Sequence, residues 1–386
     1  MGDHLTLMFY IFIDIIAVLF IALEMHFQKK RIINDKNDFS TNTFQTHSSK
    51  VFYPFAFLSF FVLFSVSALR DNVGMDYQIY LGAFLDVNNN TLTETQKNWL
   101  SPGYRLLCKI VGLFGAENYI LMFAVTAFIT LSLFYIAICK LSNNWTMSIY
   151  LLICFCLYYQ TFNQVRQMLA ISITFYALTY LKENQVKKYI LAIIIAALMH
   201  TSAIVMLVLI IVRKWEMNKK IIFLYLSGGI IAYIGFDVII YLLSFTNYGR
   251  TYLNWSKYNT SFELSSILNL IIRISFLIIC LCYYKETVKR VPYTKILYNE
   301  VVICTILQLL TLKSYLFGRV TTYFFVPYIV LIPEVVITIK KSKNKLYQNL
   351  LTLAVYFLFA VYHCIYYFSP SGAYGSGYTE YHSLLF

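Results

Sequence analysis

Long, nearly unbroken apolar runs separated by short polar breaks dominate the chain. Runs of this kind are long enough to cross a hydrocarbon layer ~30 Å thick as helices. The breaks divide the chain into predicted spans at 5–27, 51–69, 118–139, 146–162, 166–181, 221–245, 266–284, 296–312, 320–339 and 346–366. One more apolar stretch, 189–212, has basic residues on both flanks. A single crossing there would strand Arg213, Lys214, Lys219 and Lys220 on the outer face, against the usual lysine and arginine bias. It is read instead as two short helices forming a hairpin that enters from the cytoplasm and returns, with His200, Thr201 and Ser202 at its apex. Backbone that breaks at membrane depth is tolerated only where it lines protein or a wet cavity. Continuous apolar runs also differ from the alternating segments of a β-barrel. The expectation is an all-α polytopic membrane protein, about ten transmembrane helices plus the hairpin, forming one multi-pass domain over 1–386.

The polar breaks then orient the chain. The loop 28–50, with Lys29, Lys30, Arg31, Lys36 and Lys50, is expected in the cytoplasm, which puts both termini outside. The first run lacks a basic start and a small-residue cleavage site, so it reads as a retained helix. Between 70 and 117 lies a long outer segment. Within it Ser101 and Pro102 look like an N-cap and first helical residue. Arg105 and Lys109 then stand against Leu106, Leu107, Ile110 and Val111 in an interfacial amphipathic helix stopped by Gly115.

Composition supports this picture: 59% of residues are hydrophobic and 13% charged, against about 25% charged in soluble domains. The net charge of +13 does not point to nucleic acid, because 21 of the 31 lysines and arginines fall on the expected cytoplasmic side. The inner set is mostly lysine. The outer set holds Arg70, Arg105, Arg166, Arg250, Arg273 and Arg319. Arginine on the disfavoured side suggests a need for the planar, bidentate donor that grips phosphate. The eight cysteines lie in or beside apolar runs without metal-ligand spacing, and are expected to be buried small hydrophobes.

Arg166 opens a predicted helix among Asn163, Gln164 and Gln167, and Arg319 stands in the same relation to the span that follows it. An anion at either place would also feel a helix N-terminus. Arg70, at the exit of a span beside Asp71 and Asp76, and Arg250, in an aromatic outer loop, complete the candidate diphosphate binders, all four expected to face one cavity. Arg273 is expected to pair with Asp237 or Glu263. Two groups are candidate bases: Asp76, a carboxylate near arginines, and His200, at the hairpin apex. Outer tyrosines, Tyr77 and Tyr80 among them, suit stacking on sugar rings. No Walker A sequence, dinucleotide fingerprint, zinc spacing or nucleophile elbow occurs, and neither metal nor cofactor is expected.

These residues resemble the EpsG-type branch of the Wzy polysaccharide polymerases. The matching pieces are Arg70, Asp71, Asn72, Val73, Gly74, Met75, Asp76 and Tyr77 with Tyr80, then Ser101, Pro102, Gly103 and Tyr104. Asn163, Gln164, Val165, Arg166, Gln167, Met168, Leu169 and Ala170 follow, then Ala197 to Ala203 around His200, and last Arg319 with Tyr323 and Phe324. The resemblance implies a GT-C-like, metal-independent, inverting glycosyl transfer at the outer face of the cytoplasmic membrane. Its donor and acceptor would be undecaprenyl-diphosphate-linked oligosaccharides, polymerised into O-antigen, capsule or exopolysaccharide. The catalytic set would be Asp76, His200, Arg166 and Arg319. The substrate-binding set would be Arg70, Tyr77, Tyr80, Gln164, Gln167, Arg250 and Tyr323. Beyond the bilayer, the expected partners are the flippase and chain-length regulator of the same pathway, and no nucleic acid. The rival readings are an O-antigen-ligase-like transferase and a lipid-linked oligosaccharide flippase, the latter disfavoured by few glycines and prolines and no clear repeat.

Overall fold

The computed structural model describes residues 3–38, 53–245, 264–314, 316–341, 343–368 and 381–384, and these are helical throughout apart from short connections. In chain order the helices are α1 (Asp3–Asp38), α2 (Pro54–Ala68), α3 (Tyr77–Asn89), α4 (Glu94–Trp99), α5 (Pro102–Gly112), α6 (Tyr119–Leu141), α7 (Trp145–Cys154), α8 (Leu157–Asn163), α9 (Val165–Lys182) and α10 (Val186–Met199). A 3₁₀ turn (Thr201–Val208) leads into α11 (Leu209–Val212). Then come α12 (Lys219–Ile234), α13 (Phe236–Ser244), α14 (Leu264–Cys282), α15 (Tyr284–Arg290), α16 (Thr294–Thr311), α17 (Leu316–Phe325), α18 (Tyr328–Lys341) and α19 (Lys345–Phe368).

Four helices are long and apolar enough to cross a membrane alone: Leu5–Arg31, Tyr119–Leu141, Thr294–Thr311 and Lys345–Tyr367. Four bent pairs pass the same test together, α7 with α8, α12 with α13, α14 with α15, and α17 with α18, the bends ranging from 41° to 69°. Four to eight crossings are therefore supported, against about ten expected. The difference has two sources. Helix α2 has 15 residues, ~22 Å at 1.5 Å per residue, which is short of the hydrocarbon thickness. Helix α9 carries Arg166, Gln167, Ser172, Thr174 and Thr179 turned into the protein. The α7–α8 bend falls where Cys156 adopts a left-handed φ of 55°.

Three expected loops are helical instead, one of them the basic stretch after 284, which forms α15. Helix α1 runs on to Asp38, past the expected stop at 27, because Gln28 to Arg31 are good helix formers. The segment 70–117, expected on the outer side, folds in part as α3 and α4, the latter opened by a capping box in which Thr93 and Gln96 bond reciprocally. The interfacial helix predicted at Ser101 is present as α5, and Gly115 turns the chain after it with φ +137°.

The hairpin folds as expected in its path. Helix α10 rises to His200, where the backbone is extended (φ −151°, ψ 116°), and the 3₁₀ turn and α11 return antiparallel. Tyr189 donates to the Met206 carbonyl at 2.6 Å across the pair. Arg213 closes its base on Asn184 at 3.2 Å.

Polar contacts sort to two ends of the bundle. At one, Lys182 reaches the Lys140 carbonyl, Lys295 pairs with Glu216 at 2.9 Å, and Arg290 with Glu334 at 2.6 Å, Asn143 donating to the same carboxylate. At the other end lie Arg70, Asn163, His200 and Arg319. Residues 381–384 return there: Asp71 donates to the His382 carbonyl and Leu384 to that of Leu69, both at 3.0 Å, while the Tyr381 amide donates to Thr6. Both ends of the described chain therefore meet beside Arg70.

Candidate functional site

The segment between α2 and α3 is a tight turn set against another helix end. Asn72 and Gly74 take positive φ, 52° and 101°, conformations that suit asparagine and glycine. A Cβ on Gly74 would lie 2.7 Å from the Phe162 carbonyl oxygen. That contact lets Asn163, at the end of α8, accept from the Asp76 amide at 2.9 Å. Asp76 is thus held where α8 turns into α9, and it stands within electrostatic reach of Tyr80, as does Arg166.

Helix α9 starts at Val165, and its second residue is Arg166, which is 5% exposed. One of its nitrogens donates to the Trp99 carbonyl at 2.6 Å and to Ser101 Oγ at 3.4 Å, and the guanidinium lies 4.5 Å from the Trp99 ring. Ser101 sits at the N-cap position before Pro102, but its hydroxyl takes Arg166 rather than capping α5. Helix α5 in turn rests on the hairpin apex: a Cβ on Gly103 would lie 2.8 Å from both Cβ and the carbonyl oxygen of Leu198. His200 is two residues on.

At the apex, His200 Nδ1 lies 2.7 Å from Ser202 Oγ, and Ser202 donates to the Tyr323 hydroxyl on α17 at 3.2 Å. A serine that gives its one proton to Tyr323 must accept from His200, so Nδ1 carries the proton and Nε2 is the acceptor nitrogen. Arg166 and Arg319 both lie within electrostatic reach of His200. Gln167 Nε2 donates to the Arg319 carbonyl at 2.6 Å, joining α9 to α17.

Five segments distant in sequence thus meet at one place, around Asp76, Ser101, Arg166, His200 and Arg319. Three polar atoms at the start of α9 are buried without a hydrogen-bond partner: Gln164 Oε1, Arg166 Nε and Gln167 Oε1. Buried polar atoms are nearly always paired, and a cluster of unpaired ones marks where a polar ligand would complete the set. Among the described residues no trio of His, Cys, Asp or Glu is placed to hold a metal ion.

Tyr80, 7% exposed, stays with this site, its ring 5.9 Å from the Arg166 guanidinium. Other expected residues face elsewhere, and Tyr77 is 1% exposed. Tyr77 stacks on Phe123 with centroids 4.4 Å apart, and burial with the Asp71 carboxylate beside it pushes its phenol up to about 12, so it stays a donor to Asp71. Arg70 borders a small chamber with Ser67, Phe123, Thr126, Thr130, Thr161 and Val165. Arg273 donates to Cys304 Sγ at 2.8 Å and lies 4.2 Å from the Phe325 ring, not on Asp237, because α14 turns it toward α16 and α17. Arg250 and Glu263 lie outside the described residues. Sequence reasoning missed Trp99, whose carbonyl and ring both hold Arg166; its only signal was its place just before the Ser-Pro pair.

Against known families, the model of the EpsG family matches residues 53–383. No curated protein and no solved structure matches the chain.

Proposed function

The chain belongs to the EpsG family, the family of Wzy-type polysaccharide polymerases, and from that premise we propose that it polymerises undecaprenyl-diphosphate-linked oligosaccharide repeat units. The product would be O-antigen, capsular or exopolysaccharide, made at the outer face of the cytoplasmic membrane on a GT-C-like helical frame. In the transfer, the bond from the donor's anomeric carbon to its diphosphate breaks as a bond forms to the terminal sugar hydroxyl of a second lipid-linked unit. A single displacement of this kind inverts the anomeric centre. Arg166 and Arg319 stabilise the charge that builds on the departing diphosphate. The acceptor's proton passes to a base, His200 through Nε2 or the nearby Asp76 carboxylate. Gln164 and Gln167, with acceptor oxygens turned inward, position hydroxyls of the donor sugar.

The observation that carries this reading is the buried, unpaired cluster at the start of α9 beside two arginines and His200. The test is purified protein with lipid-diphosphate repeat units, followed as a ladder of product lengths. Arg166→Ala and Arg319→Ala should each lower the rate by about 10²–10³, with folding intact by thermal unfolding. Full polymerisation by both variants would remove the diphosphate role. One added unit without a ladder would identify the ligase-like reaction instead.

A further inference from the structure

Arg70 is a cation buried inside the protein. It is 2% exposed, and among the described residues its side chain bonds only the Ser67 carbonyl and hydroxyl, its Nε having no hydrogen-bond partner there. Burial pulls it down to about 10, so it keeps its charge at neutral pH. No carboxylate among the described residues is within ion-pair distance of it. The ring faces of Phe123 and Phe162, 4.8 and 5.2 Å away, compensate part of that charge. A buried guanidinium without a counter-ion is otherwise a costly arrangement.

Beside it lies a chamber whose walls include Ser67, Phe123, Thr126, Thr130 and Thr161, every one of them 5% exposed or less. The cavity volume is about 10 Å³, room on the scale of one small particle such as a water molecule or a monatomic ion and far too little for a diphosphate. Thr126 and Thr161 give their protons to the Met122 and Tyr158 carbonyls of their own helices. Ser67 Oγ accepts from Arg70 and keeps its proton to donate. Thr130 brings a further hydroxyl to the wall.

We propose that this chamber binds one small monovalent anion of the chloride class, held by Arg70, Ser67 and Thr130, as the counter-ion that fixes the segment from Leu69 to Asp76. Arg70 then serves the fold behind the site and does not grip the diphosphate. This assignment stands apart from the polymerase reading and is tested without substrate. The experiment is thermal unfolding of the purified protein in sodium chloride against sodium gluconate at equal ionic strength. Saturating chloride or bromide should raise the Tm by about 3 °C over gluconate, and Arg70→Met should abolish the difference. Thr130→Val should raise the half-maximal chloride concentration several-fold, on the order of one lost hydrogen bond. Equal Tm in both salts means that the chamber holds only water and overturns the proposal, as does an unchanged chloride response in Arg70→Met. If Arg70→Met does not fold, an unshifted chloride midpoint in Thr130→Val overturns it.

Discussion

Among single residues, Ser202 is the most informative. Its hydroxyl lies between His200 and Tyr323, at 2.7 and 3.2 Å, and because it donates to Tyr323 it accepts from an imidazole protonated on Nδ1. Removing it frees the ring to take the other tautomer, which turns the lone pair away from Nε2. Ser202→Ala is expected to slow polymerisation about tenfold and to change its pH profile, whereas Ser202→Thr should restore both. Rates of the two variants measured across pH 5 to 9 check this (a range chosen around the ~6.5 of free histidine). Equal behaviour of Ser202→Ala and the unmodified protein would assign the base to Asp76. Histidine 200 itself was visible in the sequence as a polar residue at the turn of an apolar hairpin. Its hydroxyl partner on α17 was not, because 121 residues separate Ser202 from Tyr323 and no local pattern reports such a contact.

Helices explain why these groups come together. The junction of α5 with α10 depends on Gly103, where an added Cβ would meet backbone atoms of Leu198 at 2.8 to 2.9 Å. Backbone cannot step aside as a flexible side chain does, so Gly103→Ala should cost about 1–3 kcal/mol and displace the hairpin apex. Gly82→Ala, on α3 with nothing within 4 Å of the new methyl, should be neutral or stabilise by up to about 1 kcal/mol. Chemical unfolding of both variants makes the comparison, and equal stability would remove α5 as the support of the apex. At this scale the sequence was most legible: hydrophobic runs marked the apolar helices and basic flanks the return of the hairpin, but not the breaks inside 146–162, 221–245 and 320–339 or the helix after 284. What they missed has physical causes. The bends at Cys156 and Gly235 come from local backbone geometry, and α3 and α4 are short helices whose apolar positions pack on Phe123 and Leu169 rather than on lipid.

The molecule as a whole is polarised. Contacts of Lys140, Lys182, Arg213, Lys295 and Arg290 gather at one end, and those of Arg70, Arg166, His200 and Arg319 at the other. If the chain lies across a bilayer with its lysine-rich end in the cytoplasm, single cysteines introduced at Lys187 and Lys214 should both react with an impermeant maleimide only after the membrane is opened. One at His382 should react in intact cells. Reaction of Lys187 and Lys214 positions from opposite sides would turn the hairpin into a true crossing. The convergence of five distant segments could be inferred from the sequence only as a shared resemblance, since composition places arginines on a side without saying which of them face one another. Arg70 and Arg166 look alike in the sequence and end in different surroundings.

The seam of residues 381–384 against 69–71 ties two stretches more than three hundred positions apart, with Tyr381 reaching Val66 and Thr6 as well. Closing so long a circuit carries an entropy cost that grows only slowly with its length, so a few bonds suffice to hold the far end of the described chain against Arg70. The turn that carries this cation is therefore braced from two directions, by the helix that precedes it and by residues 381–384.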